Sequence, residues 1–149
     1  MDQATTIEIT ILGKQEDVKR AALAAQRRID IGTNGFEENA YEYGDGSDFK
    51  SKMDATVDIL GSYNYSEQEE GKAEYRSEQE SYGCEEEEDI KAIVNDIIKT
   101  SPCVEVHLSA VITVTYDEGY DLCVDIDYVD GKMSVDSFED YYDDDDDED

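Results

Sequence analysis

The groups in this chain best able to do chemistry are its 41 carboxylates, set against 12 lysines and arginines and one histidine for a formal net charge of -29 over 149 residues. Two positioned carboxylates can act as acid and base. With so many present, such pairs arise by chance and single out no active site. His107 sits at a strand position beside Glu105 and Ser109 with no nucleophile marked by a motif, so it reads as structural or solvent-facing. The stretch GDGSDFKSK at 44–52 has glycines but not the spacing of a phosphate loop, and its surroundings are acidic. Asp125, Asp127, Asp130 and Gly131 resemble the start of a calcium loop. There the glycine falls one place late and Asp136 stands where such a loop needs a glutamate, and the stretch reads better as two strands around a turn. Cys84, Cys103 and Cys123 show no C-x-x-C spacing and read as free, partly buried thiols. The chain is therefore not expected to be an enzyme, and no catalytic residue, metal or cofactor is expected.

What the acids offer instead is patterned charge. Residues 1–31 hold five acids and five bases, so residues 32–149 carry the whole excess of 29 negative charges. Like charges crowded on a compact body oppose folding, so the excess calls for a reason outside the fold. At one phosphate per roughly 1.7 Å of duplex axis, 29 charges match about 14 base pairs. A compact chain of this length measures only about 35–40 Å across, which makes its charge density of the order of DNA's. Asp121, Asp125 and Asp127 share one face of a predicted strand, where two residues span about 6.8 Å, comparable to the separation of neighbouring phosphates. Asp117, Glu118, Asp130 and Asp136 extend that face or its rims. A second cluster is Glu85, Glu86, Glu87, Glu88 and Asp89, and a third runs through Glu67, Glu69, Glu70, Glu74, Glu78 and Glu80. Among the 11 tyrosines, Tyr41, Tyr43, Tyr63, Tyr65, Tyr75, Tyr141 and Tyr142 lie within acidic runs, where a ring could pack on arginine or lysine stems of a basic groove. Such a polyanion repels nucleic acid and anionic membrane surfaces alike, which leaves basic protein surfaces as partners.

The elements that must position these groups follow from periodicity. Residues 5–12 alternate, with Ile7, Ile9 and Ile11 on one side, and predict a strand. Residues 15–30 change to helical period, with Val18, Ala22, Ala25 and Ile29 on one stripe and Gly32 as the expected stop. A short strand is expected near 37–43 and another over 53–60, where Met53, Ala55, Val57 and Ile59 alternate; residues 61–83 receive no assignment. Residues 85–100 give the clearest helix, its apolar face formed by Ile90, Ile93, Val94, Ile97 and Ile98, with acids in the first turn and Pro102 beyond its end. Three alternating segments, 104–116, 120–129 and 132–138, follow around turns at 117–119 and at Asp130-Gly131. The order predicts an α+β fold: a mainly antiparallel sheet with two helices on one face and a C-terminal three-stranded meander. One domain is expected over 1–138, with 139–149 as a disordered acidic tail. No run of apolar residues is long enough to span a membrane, and the first 15 residues lack the basic and apolar regions of a secretory signal, so the expected location is the cytoplasm.

With EEEED at 85–89, the outward row Asp121/Asp125/Asp127 and DDDDDED at 143–149, the chain resembles the DNA-mimic inhibitors of phages and mobile elements. These include anti-CRISPR and anti-restriction proteins and inhibitors of uracil-DNA glycosylase. The resemblance lies in composition and charge pattern over 32–149 and rests on no shared motif. It implies a non-enzymatic inhibitor that blocks the nucleic-acid-binding surface of a host defence nuclease complex, anti-CRISPR first, anti-restriction or repair-enzyme inhibition next. The acids at 85–89 together with Asp121, Asp125, Asp127 and Asp130 are the expected contact residues. An acidic chaperone for a basic protein such as a histone would use the tail instead. Adaptation to high salt would acidify every exposed part of the chain, which the neutral first 31 residues do not show.

Overall fold

Isoleucine alternating with threonine and glutamate makes β1 (Gln3–Lys14) a strand with one apolar side, and the chain folds its remaining elements around it. In the computed structural model, which describes residues 3–34, 48–81, 86–114 and 119–141, the order continues with α1 (Gln15–Asn34), α2 (Phe49–Leu60), β2 (Gly61–Glu67), β3 (Lys72–Ser81), α3 (Glu87–Thr100), β4 (Glu105–Val114), β5 (Tyr120–Val129) and β6 (Lys132–Tyr141). The strands form one antiparallel sheet in the order β2-β3-β1-β4-β5-β6. The α+β class, the antiparallel sheet and the C-terminal meander are those expected.

The register sorts side chains into two faces. Ile7, Ile9 and Ile11 lie opposite Ala110, Leu108 and Val106 of β4, and the same parity on β5 carries Val124, Ile126 and Tyr128. All nine are buried, in one core with Ile90, Ile93, Val94 and Ile97 of α3. Helix α1 lies in the middle of the helical layer, touching α2, α3, β1 and β3. Its run from Ala21 to Gln26 is accordingly buried throughout, and alanines allow that close approach. Gln26 is the polar member of this run. It exchanges side-chain hydrogen bonds with Gln79 of β3 at 2.9 and 3.0 Å, which satisfies two amides that burial would otherwise penalise.

Several expectations are corrected. The segment 53–60 is helix rather than strand: it forms the end of α2, where Phe49 and Met53, four residues apart, are buried together. Phe49, Met53, Val57 and Leu60 also recur at helical spacing, so the short apolar run fits either period, and the tertiary layer decides between them. Among the described residues three helices rather than two cover the sheet. Helix α1 runs past Gly32 to Asn34. The unassigned stretch becomes the β2–β3 hairpin, closed by a 3-10 turn at Glu69–Gly71 in which Glu70 and Gly71 both adopt positive φ, 64° and 73°. Strand β6 extends three residues past Phe138, so Glu139, Asp140 and Tyr141 belong to the sheet and not to the tail. The strand expected near 37–43, the end of the 104–116 segment and most of the 117–119 turn lie outside the described residues, as do 142–149.

Candidate partner-binding face

The sheet's second face begins with the hairpin between β5 and β6. Asp130 and Gly131 have φ values of 54° and 79°, the pair of left-handed residues that a two-residue type I′ turn requires. The turn fixes the register outward from Val129 and Lys132, and two-residue alternation then directs Asp121, Asp125 and Asp127 to the side opposite the helices. No described helix covers this side. The same register places Asp136 of β6 opposite Asp125, and Asp140 opposite Asp121. On β1 and β3, Glu8 stands opposite Glu78. Three pairs of like charges thus face each other across neighbouring strands, an arrangement that ordinarily costs stability.

The rows connect across the sheet. Glu78, Glu8, Ser109, Asp125 and Asp136 follow one another on β3, β1, β4, β5 and β6. Strands lie about 4.8 Å apart and same-side residues repeat about every 6.8 Å, so the acids occupy a two-dimensional grid. Ser109 Oγ donates to Asp125 Oδ1 at 2.7 Å, which holds that carboxylate in place. A shallow hollow of about 430 Å³ runs over this region, lined by Glu8, Thr10, His107, Asp125, Asp127 and Asp136 among others. Among the bare-face positions of β5 and β6, Lys132 is the one basic residue.

His107 lies within this grid. Its Nε2 is 2.6 Å from Glu105 Oε2 and its Nδ1 is 2.6 Å from Asp127 Oδ1. The hydrogen bonds to Glu105 and Asp127 raise its pKa above the ordinary value, so the two carboxylates favour protonation of the ring between them. It is half-buried on the face of Glu105 and Ser109, where the sequence places it, and the pairing of β4 with β5 sets Asp127 opposite it. Cys123 sits between Asp121 and Asp125. Burial first, then the charges of Asp121, Asp140 and Asp125, push its thiol up, a second sign of negative potential on this face. Cys103 is exposed, and Cys84 lies outside the described residues.

The structure divides the expected contact residues. Asp121, Asp125 and Asp127 share the bare face. Asp130 occupies the turn and lines a separate cavity of about 670 Å³ with Lys14, Lys72 and Gly13 at the ends of the strands. The described part of the second cluster, 86–89, lies on the helical side. Glu86 precedes α3, and its backbone N–H donates to the Asp89 carboxylate at 3.0 Å, so these two acids start the helix. Glu87 accepts from Ser137 Oγ at 2.9 Å and pairs with Lys91 at 3.2 Å, and both partners hold its carboxyl below the usual range. Glu88 also reaches Lys91, at 3.6 Å. Glu85 lies outside the described residues. In the third cluster, Glu74 pairs with Arg76 at 3.6 Å, and Glu67, near the end of β2, lies 3.9 Å from Lys19.

The tyrosine expectation is corrected. Tyr75 is buried, and Tyr63 and Tyr65 are half-buried against it and Phe49, with ring centroids 4.9–6.4 Å apart. Burial and the nearby Glu67 push the Tyr65 hydroxyl up to about 12. These rings form core. Tyr141 packs on Tyr120 at 5.1 Å while staying exposed, and Tyr41, Tyr43 and Tyr142 lie outside the described residues.

Comparison with protein-family models, curated proteins and solved structures gives no match. Among the described residues no group of three or more histidines, cysteines or acids is placed to hold a metal ion, and no helix is long and apolar enough to cross a membrane.

Proposed function

We propose that this chain is a non-enzymatic acidic mimic of nucleic acid, an inhibitor that occupies the basic nucleic-acid-binding surface of a host defence nuclease complex. An RNA-guided nuclease is the first target of this class, and restriction or repair enzymes come next. The observation that carries the reading is the set of directly opposed acids on the bare face, Glu8/Glu78, Asp125/Asp136 and Asp121/Asp140. A surface serving only solubility has no need to oppose like charges across a ladder. A surface that must look like closely spaced phosphates has that need. Strand backbone and Ser109 hold the carboxylates before binding, so little ordering entropy opposes their use.

The test measures target DNA binding by purified RNA-guided nucleases and restriction enzymes at increasing concentrations of the chain. Inhibition should be competitive with nucleic acid and should fade as salt rises from about 50 to 500 mM, because exposed charge pairs are screened. Replacing Asp121, Asp125 and Asp127 by lysine should abolish it. Removing 142–149, which leaves β6 whole, should weaken it far less, although by charge count the tail matters more. A stable ternary complex with nucleic acid still bound would sink the reading. So would normal inhibition by the triple variant combined with loss on truncation, which would give the activity to a tail-driven chaperone.

A further inference from the structure

Strand β6 ends the sheet, and among the described residues no strand pairs with its outer edge. It is 10 residues long, and every residue except Val135 is exposed. Met133, Phe138 and Tyr141 are 40%, 52% and 59% exposed, the large apolar side chains that the described surface leaves open. In an antiparallel ladder alternate residues direct both N–H and C=O away from the neighbour. With Val129 and Lys132 closing the turn as a bonded pair, Met133, Val135, Ser137 and Glu139 are the residues facing outward. Proteins usually shorten, bulge or guard such an edge with lysines. β6 has one lysine, at its first position, and is not interrupted.

The edge runs between two acidic banks. On the helical side, Ser137 bonds Glu87 in the first turn of α3, which also carries Glu88 and Asp89, and Lys91, paired with Glu87 and Glu88, offsets one of these three charges. On the bare side stand Asp136 and Asp140, with Asp125 and Asp121 behind them. A strand laid along β6 would send its side chains alternately towards one bank and the other. A second copy of this chain would bring the same acids to both, whereas a basic segment would meet opposite charge on each side. From this we infer that β6 takes up an extended, arginine- and lysine-rich segment of the partner by strand addition, with Phe138 packing against the stems of its basic side chains. The inference rests on the reading above that the partner is a basic protein. It adds that the contact includes backbone pairing as well as charge.

Two probes separate these contributions: an end-capped ten-residue peptide of alternating arginine and lysine, and the same peptide with every backbone amide N-methylated. Methylation keeps the charge and removes the donors. With the full chain at about 50 mM salt, the unmodified peptide should bind at least about tenfold more tightly than the methylated one, since several ladder hydrogen bonds depend on those donors. It should also slow hydrogen exchange at the amides of Val135, Ser137 and Glu139 in two-dimensional NMR. Equal affinities with those amides unprotected would overturn strand addition and leave the acidic-face reading standing. Binding of neither peptide would overturn both. Protection of the same amides without peptide, together with a dimer in sedimentation, would overturn the inference and assign the edge to a second copy.

Discussion

Reversing one charge of an opposed pair should make this protein more stable while making it a poorer inhibitor. Asp136 lies directly across from Asp125, at a ladder position where Cα atoms are about 5.5 Å apart. Two unit charges at that distance repel by about 0.75 kcal/mol in water. Asp136→Lys turns repulsion into attraction, a swing of about 1.5 kcal/mol, near the upper range measured for cross-strand pairs. For a chain of 149 residues that corresponds to a rise in Tm of about 3–6 °C. Screening supplies the check on cause. The Debye length is about 30 Å at 0.01 M salt and about 3 Å at 1 M, so the gain should fall to about a fifth of its size at high salt. Glu69→Lys, in the exposed 3-10 turn, makes the same change in net charge without an opposed acid and should raise Tm much less. The assay is thermal unfolding of the three proteins at both salt concentrations, beside their inhibition of the target. A Tm gain no larger than that of Glu69→Lys, or one insensitive to salt, would refute the idea that the face holds charge at the expense of the fold.

Other outcomes follow from particular contacts. Gln26→Leu or Gln79→Leu alone should destabilise by about 1–3 kcal/mol in urea unfolding, because each removes the two buried hydrogen bonds that the amides exchange; the double change should cost much less than the sum of the two, with Ser77 still bonded to Ser62. His107 should titrate above 6.5 by NMR, and Asp127→Asn should lower its pKa. Since the folded value is raised, the stabilisation from its two carboxylates is full below pH 6.5 and is lost as pH rises through the folded pKa; a measured value at or below 6.5 would contradict the pairing. Ile126→Ala, which empties a fully buried position of β5, should cost about 2–5 kcal/mol, and a loss under 1 kcal/mol would mean that the sheet and α3 are not packed as described.

Legibility differed between the two layers for physical reasons. Strands β1, β4 and β5 alternate strictly because one face is buried and the other is wet, so their residues announce themselves. Helix α3 was equally plain, with its apolar stripe, first-turn acids and Pro102. Residues 61–81 gave no signal because β3 buries Ser77, Gln79 and Ser81 along with Ala73 and Tyr75, and buried polar residues hide the alternation. Helix α2 is ambiguous in the sequence because a short apolar run fits both periods. Asp121, Asp125 and Asp127 were found from alternation alone. The opposition of Asp136 and Asp140 was also within reach: counting outward from the Asp130-Gly131 turn pairs residue 125 with 136 and 121 with 140. Asp136 is already on this face or its rim by alternation, whereas the pairing of Asp140 requires β6 to continue past residue 138 into the stretch expected to be tail. Glu8/Glu78 and the His107–Asp127 contact depend on pairings between strands distant in sequence, which no local signal specifies.

The fold and the proposed function meet in how the helices are distributed. A six-stranded sheet with helices on both sides would have had to bury both faces, and none of its outward positions could have stayed charged. Here the three described helices stack on one side, and the isoleucine-rich parity of β1, β4 and β5 supplies the sheet's share of the core. The other parity is released from folding and is free to carry charge. A strand holds its carboxylates at a fixed repeat, and neighbouring strands multiply that repeat sideways, which an acidic helix or a flexible tail cannot do. The cost appears as opposed like charges, and it is borne by a core deep enough to tolerate it. The acids that sequence reasoning ranked together, those of 85–89 and those of β5, therefore have different work. Glu86 and Asp89 start a helix, and Glu87 ties that helix to β6. Asp121, Asp125 and Asp127, with Asp136 and Asp140, stand on the bare face, where Ser109 holds Asp125 and His107 holds Asp127, and this is the face that the proposed function turns towards a partner.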